Sequence, residues 1–158
     1  MAGSLPLALG RLGVHVQVVM PRYRGILPRK KKLSERISIY FVENEDYYNR
    51  ASLYGTGDGD YPDNLKRFAF LCQSALEMAK SSGFKPDVVH AHEWQTALLP
   101  VFLKTKFVKD PFFEKTRSVL TLHNAAYQGI FPQKQFSELG LTEVLFNPET
   151  FEFYGKLN

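Results

Sequence analysis

With 158 residues, 44% of them hydrophobic, the chain is long enough to bury a core and leaves little room for a second domain. Its 20 Lys and Arg against 16 Asp and Glu give a formal charge of +4, too mild a bias to point to nucleic acid, and no apolar run approaches the ~20 residues of a membrane-spanning helix. A single cysteine excludes an intrachain disulfide and a cysteine-rich zinc site, and no signal-peptide pattern opens the chain, so the expected setting is a reducing, soluble compartment.

The first predicted element is a helix, in which Leu5, Leu9 and Leu12 recur at helical spacing until Gly13 stops the pattern. A strand over residues 14–20 follows, ended by Pro21. In a βαβ protein such a first helix normally follows a strand and a glycine-bearing turn. Neither stands before it here, and residues 155–158 carry no closing element, so the sequence reads as a fragment. The run Arg29-Lys-Lys-Lys32 reads as a solvated loop of like charges, with a phosphorylated ligand as the alternative. Residues 37–42, β-branched and aromatic, predict a strand. Residues 47–61 carry Gly55, Gly57 and Gly59 and predict a long loop, a flexible lip beside a site. They do not fit a phosphate cradle, because no strand leads directly in and no helix follows at once.

Asp63 is then expected to cap a helix whose apolar face runs Leu65, Phe68, Ala69, Cys72, Ala75, Leu76 and Ala79, ending near Gly83. Cys72 on that face reads as a buried structural thiol. Val88, Val89 and Ala91 make a short buried-strand signal, after which Trp94, Leu98, Val101 and Phe102 resume helical spacing, with Trp94 as a core aromatic. Residues 118–122 predict the next strand. The alternation predicts an α/β fold, a Rossmann-like doubly wound parallel sheet, without internal repeats.

Open sheets of this class bind ligands at the carboxyl ends of their strands. His90 and His92 end one predicted strand, His123, Asn124, Tyr127 and Gln128 end the next, and Asp63 opens a neighbouring helix. Singly, each has an ordinary structural role: a helix cap for Asp63, a satisfied core histidine for the others. Their clustering on one rim favours a site. A His-x-His pair also has metal-ligand spacing, with His123 as a third ligand, which would suit a metal-dependent hydrolase. The chain is too short for the barrel that usually carries such a pair, and the reading adopted has neither metal nor cofactor.

The strings Ala2-Gly-Ser-Leu-Pro-Leu-Ala-Leu9, Met20-Pro-Arg-Tyr23, Glu45-Asp-Tyr-Tyr-Asn-Arg50, Asp63-Asn-Leu-Lys-Arg-Phe68, Asp87-Val-Val-His-Ala-His-Glu-Trp94 and His123-Asn-Ala-Ala-Tyr-Gln-Gly129 occur in that order across nearly the whole chain. Together they make it resemble the N-terminal domain of bacterial glycogen synthases and plant starch synthases. The resemblance implies that residues 1–158 are part of the N-terminal half of a GT-B glycosyltransferase, in which two Rossmann-like domains face each other across a cleft. It implies transfer of glucose from ADP-glucose to the non-reducing end of an α-1,4-glucan, with retention of configuration and without a catalytic metal. His92 then matches the histidine that lies against the donor sugar and Asp63 an aspartate lining the same cleft, both assigned as catalytic. Asn124, Tyr127 and Gln128 match the loop shaping the sugar and acceptor region, and Glu93, in place of the commoner aspartate, joins them as a substrate-binding residue while keeping a negative charge at a helix N-terminus.

The departures carry expectations of their own. The family's Lys-Thr-Gly-Gly segment would precede Ala2, Met1 stands where a valine is usual, and the C-terminal nucleotide-sugar domain does not follow Asn158. The chain alone is therefore expected to hold half a site, to be inactive and to self-associate through exposed strand edges. The alternative is a non-catalytic glucan-binding or partner-docking module. Nucleic-acid and membrane partners are not expected, the basic run lacking interleaved aromatics. The resemblance places the protein in the cytoplasm of a bacterium or in a plastid stroma.

Overall fold

The structure is a computed structural model describing residues 3–158. Met1 and Ala2, on which the methionine-for-valine departure and the start of the first family string fall, lie outside the described residues. The chain divides into two compact units, one running to Gly59 and one from Asp60 to Asn158.

In the first unit, α1 (Ser4–Arg11) ends at Gly13, whose φ of 88° is a conformation glycine adopts without a steric penalty. The helix lies close on the sheet through Gly10, where an added Cβ would sit 2.6 Å from Ile37 Cδ1. Strand β1 (Val16–Pro21) pairs in parallel with β3 (Ile37–Val42), from Val16 opposite Ile37 to Pro21 opposite Val42. Between them in sequence, β2 (Lys30–Ser34) pairs antiparallel with the other side of β3, with a register shift between Lys32 and Ser34. The basic run is thus a strand and not the loop expected of it. Its residues are all exposed, the composition of an edge strand that resists pairing with other chains, and Lys30 Nζ stands 4.6 Å from the centroid of the Tyr40 ring. Beyond β3 the expected loop holds a short helix, α2 (Glu45–Tyr48), capped by the Asn44 side chain accepting the Tyr47 N–H at 3.0 Å. Two-residue strands follow, β4 (Gly55–Thr56) and β5 (Gly59–Asp60).

The second unit is built on α3 (Asn64–Ser81), which buries Leu65, Phe68, Leu71, Cys72 and Leu76 and stops at Gly83 with φ 69°. Asp63 occupies the N-cap position, yet its side chain makes no cap hydrogen bond; its φ and ψ of −97° and 14° depart from the extended geometry that carries a side-chain oxygen onto the N2 or N3 amide. Arg67 and Asn64 are fully buried together, Arg67 Nη1 donating to Asn64 Oδ1 at 2.6 Å. Strand β6 (Val88–His92) pairs in parallel with β7 (Arg117–Thr121), in register from Val88 opposite Arg117 to His92 opposite Thr121. The strand is half-buried, not wholly buried as its apolar run suggested. Val89 and Ala91 pack with Cys72, Leu76, Leu99 and Phe102 of α3 and α4 (Leu98–Lys104), while Val88 is 54% exposed. Trp94–Thr96 forms a 3-10 turn before α4 begins.

A second core gathers Leu65, Phe136, Leu139, Phe151 and Leu157. Beside it, β8 (Phe131–Pro132), β10 (Lys156–Leu157) and β9 (Glu152–Phe153) make a small antiparallel sheet in that order. Lys156 and Leu157 therefore form a strand that the sequence pattern did not announce. The turn between β9 and β10 places Tyr154 and Gly155 at φ 50° and 73°, the paired positive angles of a tight hairpin, and Leu157 is 2% exposed. The parallel pairing of the α/β class is present in each unit, as β1 with β3 and as β6 with β7. Among the described residues no helix is long and apolar enough to cross a membrane.

Candidate active site

Residues two apart on a strand face the same way, and His90 and His92 do so at the end of β6. Their rings lie 4.1 Å apart between centroids and 26° from parallel. His123, just past β7, extends the arrangement, its ring 5.9 Å from that of His92 and 1° from parallel. His90 Nε2 lies 2.7 Å from Thr121 Oγ1, and the Thr96 hydroxyl braces the backbone of His92, accepting its N–H and donating to its carbonyl, each at 2.7 Å. Burial, and then the neighbouring His90 and His123, hold the His92 pKa below the ordinary histidine value, with Glu93 opposing. Near neutrality His92 is an uncharged imidazole that can donate and accept hydrogen bonds.

Glu93 joins the two strand ends. Its N–H donates to the Thr121 carbonyl at 2.9 Å, and its Oε1 accepts the His123 N–H at 2.8 Å. Its φ of 65° and ψ of 171° fall in a region almost restricted to glycine, where a side chain costs about 1–3 kcal/mol and which proteins tolerate chiefly at functional sites.

The loop after β7 is held by its own polar side chains. Asn124 Oδ1 accepts the Ala126 N–H at 3.1 Å, Gln128 Nε2 donates to the Ala125 carbonyl at 3.0 Å, and Gln128 Oε1 accepts from Asn158 Nδ2 at 2.9 Å. The Tyr127 hydroxyl stands 3.3 Å from both carboxylate oxygens of Asp60, and the residue is 48% exposed. Behind the loop Trp94 meets Phe68 edge-on at 5.1 Å and Tyr127 at 6.4 Å. A Cβ on Gly129 would lie 2.2 Å from Trp94 Cε3, so only glycine allows this approach. Beneath lies an apolar cavity of about 390 Å³ bordered by Leu65, Phe68, Trp94, Leu98 and Val101.

The structure thus groups His92, Glu93 and His123, and links the loop of Asn124, Tyr127 and Gln128 to Asp60 and Asn158. Asp63 is supplied by a different element, the start of α3, three residues after Asp60. Three contributors escaped sequence reasoning. Thr121 and Thr96 look like ordinary strand and helix residues until the register is known, and Asp60 was absorbed in the glycine-bearing loop. Among the described residues no group of three or more His, Cys, Asp or Glu is arranged to hold a metal ion.

The family model for the starch synthase catalytic domain matches residues 1–158. Glycogen synthase 2 of Geobacter sulfurreducens is 44% identical over 181 aligned residues, covering 98% of this chain and 37% of its own length. Glycogen synthase of Elusimicrobium minutum is 45% identical over 122 residues, covering 77% and 25%. Among solved structures, the catalytic domain of starch synthase IV from Arabidopsis thaliana, bound to ADP and acarbose, superposes with a TM-score of 0.77 at 24% identity, over 98% of this chain and 36% of that one. This last likeness shows the fold, the N-terminal Rossmann-like half of a GT-B protein. The chain spans a little over a third of the length of Geobacter sulfurreducens glycogen synthase 2.

Proposed function

Because the chain belongs to the starch synthase catalytic-domain family, we propose that residues 1–158 form the glucan-side part of the N-terminal domain of a retaining glycosyltransferase. In this reading the intact enzyme transfers glucose from ADP-glucose to the non-reducing end of an α-1,4-glucan. The observation that supports it most directly is the His92 imidazole at the end of β6, flanked by the His90 and His123 rings beside a loop of amides and an exposed phenol. A glucosyl group leaving its pyrophosphate develops positive charge at the sugar, and fixed neutral dipoles stabilise that charge without opposing it as a nearby cation would. His92 accordingly lies against the donor sugar and Asp63 lines the same cleft. Asn124, Tyr127 and Gln128 shape the acceptor side, and Glu93 contributes by holding the His123 end of that loop.

The relatives' names support glycogen or starch synthesis, and the Arabidopsis structure's bound ADP and acarbose support a nucleotide sugar and a glucan as ligands. The setting that goes with this function is the cytoplasm of a bacterium or a plastid stroma. Taken alone, the chain is read as inactive and as self-associating, the latter supported by Val88, Val119, Leu120 and Leu122, all 40–55% exposed on or beside β6 and β7. Dynamic light scattering of the isolated chain tests that part.

The test of the function is His92→Ala in the full-length enzyme containing this chain. Turnover with ADP-glucose and glycogen should fall by at least ~10²-fold, the scale of one lost preorganised polar contact, while glycogen affinity persists. A variant with near-normal turnover removes His92 from catalysis, and a full-length protein that binds glycogen yet never transfers glucose makes the chain a binding module.

A further inference from the structure

His90 has no part in the function proposed above, yet the structure surrounds it with more order than an exposed strand residue needs. Its ring nitrogen Nε2 is tied to Thr121 Oγ1 at 2.7 Å, across the parallel β6–β7 register. Thr121 is the same residue that faces His92 in that register and whose carbonyl receives the Glu93 N–H. The His90 ring then lies 4.1 Å from the His92 ring at 26°. Among the described contacts of the His92 imidazole, the two rings beside it are those of His90 and His123, and His90 is the nearer by 1.8 Å between centroids.

We propose that His90, anchored by Thr121, is a positioning residue that holds the plane of the His92 imidazole. The proposal rests on the assignment of His92 to the reacting sugar. A histidine free to turn about χ1 and χ2 samples planes in which neither nitrogen meets the substrate, and a stacked partner fixed by its own hydrogen bond removes much of that freedom. The same closeness penalises a charge on His92, since a cation on either ring disfavours one on the other. The charged groups acting on His92 are His90 on its own strand, His123 beyond β7 and Glu93 at the strand end, the last favouring its protonation and the two histidines opposing it. His90 therefore has two effects on one neighbour, on its orientation and on its protonation.

The experiment uses the full-length enzyme with isotopically labelled histidine. It compares wild type, His90→Ala and His90→Phe by the NMR titration of the His92 imidazole and by kcat/KM against pH. His90→Ala removes both the flat partner and the neighbouring charge. It should move the His92 titration and the acid limb of kcat/KM upward together and lower kcat roughly ten- to hundredfold, with little change in KM, the signature of a misoriented group. His90→Phe restores a flat neighbour but neither the charge nor the hydrogen bond to Thr121, so kcat should recover only part of the loss. A merely structural role for His90 predicts neither the rescue by phenylalanine nor a moved titration. An unmoved His92 titration in His90→Ala overturns the proposal, whatever happens to turnover, and so does a kcat for His90→Phe no higher than that of His90→Ala. If instead His92→Ala proves fully active, the function assigned to His92 fails, while the titration still reads whether His90 holds its neighbour.

Discussion

The Oε1 atom of Glu93 accepts the backbone N–H of His123 at 2.8 Å, while Glu93 itself sits in backbone territory that suits glycine. One residue thus carries a local strain and the bond that ties the ends of β6 and β7 together. The two contributions oppose each other, and substitution can separate them.

Glu93→Ala keeps the strained backbone and discards the carboxylate, and should destabilise by about 1.5–3 kcal/mol, the scale of a hydrogen bond to a charged group. Glu93→Gly discards the same bond but relieves about 1–3 kcal/mol of strain. Glycine should therefore be the milder change, the reverse of the usual alanine-over-glycine order. Denaturant unfolding of the two variants compares them directly, and an alanine variant as stable as the glycine one would show that the strain is not felt.

Gly129→Ala should cost about 1–3 kcal/mol through overpacking, since the new Cβ would stand 2.2 Å from Trp94 Cε3 and must push either the loop backbone or a ring already packed on Phe68. Trp94 is the single tryptophan of the chain, so its fluorescence reports this contact alone. An unchanged emission spectrum and an unchanged unfolding midpoint would mean that the loop yields freely.

The histidine column makes stability depend on acid. Because the folded His92 pKa is lowered, chiefly by burial and then by His90 and His123, the unfolded chain binds its proton first as pH falls. The associated stability is complete above the ordinary histidine value of about 6.5 and is lost as pH drops through it toward the folded value. Unfolding free energies across pH 5–8 should decline on the acid side, and His92→Gln should flatten that decline. A slope unaffected by the substitution would assign it to other groups.

Cys72 is fully buried, its thiol pushed up to about 12 by desolvation, with the sulfur 3.7 Å from the Gln95 carbonyl. A thiol-specific reagent at pH 8 should leave it unmodified in the native chain and label it only on unfolding. Rapid stoichiometric labelling under native conditions would place α3 in an open state.

The elements easiest to read in the sequence were those with strong periodicity. The 37–42 strand matched to the residue, and the long helix after Asp63 was legible because its apolar positions recur at 3.6-residue intervals over five turns. Strand β2 was not, because three of its five residues are lysines and its reason for being a strand is the pairing with β3, a non-local cause. The hairpin at 152–157 was too short to show a period, and it depends on two residues of positive φ and on one buried leucine. At the site, His92 and His123 could be placed at strand ends from topology alone, whereas Thr121 could not, since its role comes from sitting opposite His92 and beside His90 across a register that no local pattern encodes.

The hydrogen bond from Asn158 to Gln128 sets an order of events during synthesis. The loop bearing Tyr127 emerges well before the residues that secure it, because its partner lies thirty positions further along the chain. Leu157 and Phe151, which build the wall beside it, are made equally late. The residues of the histidine column, and the partners of the loop's own hydrogen bonds, are all made before the tie to Asn158. The loop bearing Tyr127 thus gains its tie to Asn158 after the partners of its internal hydrogen bonds have been made.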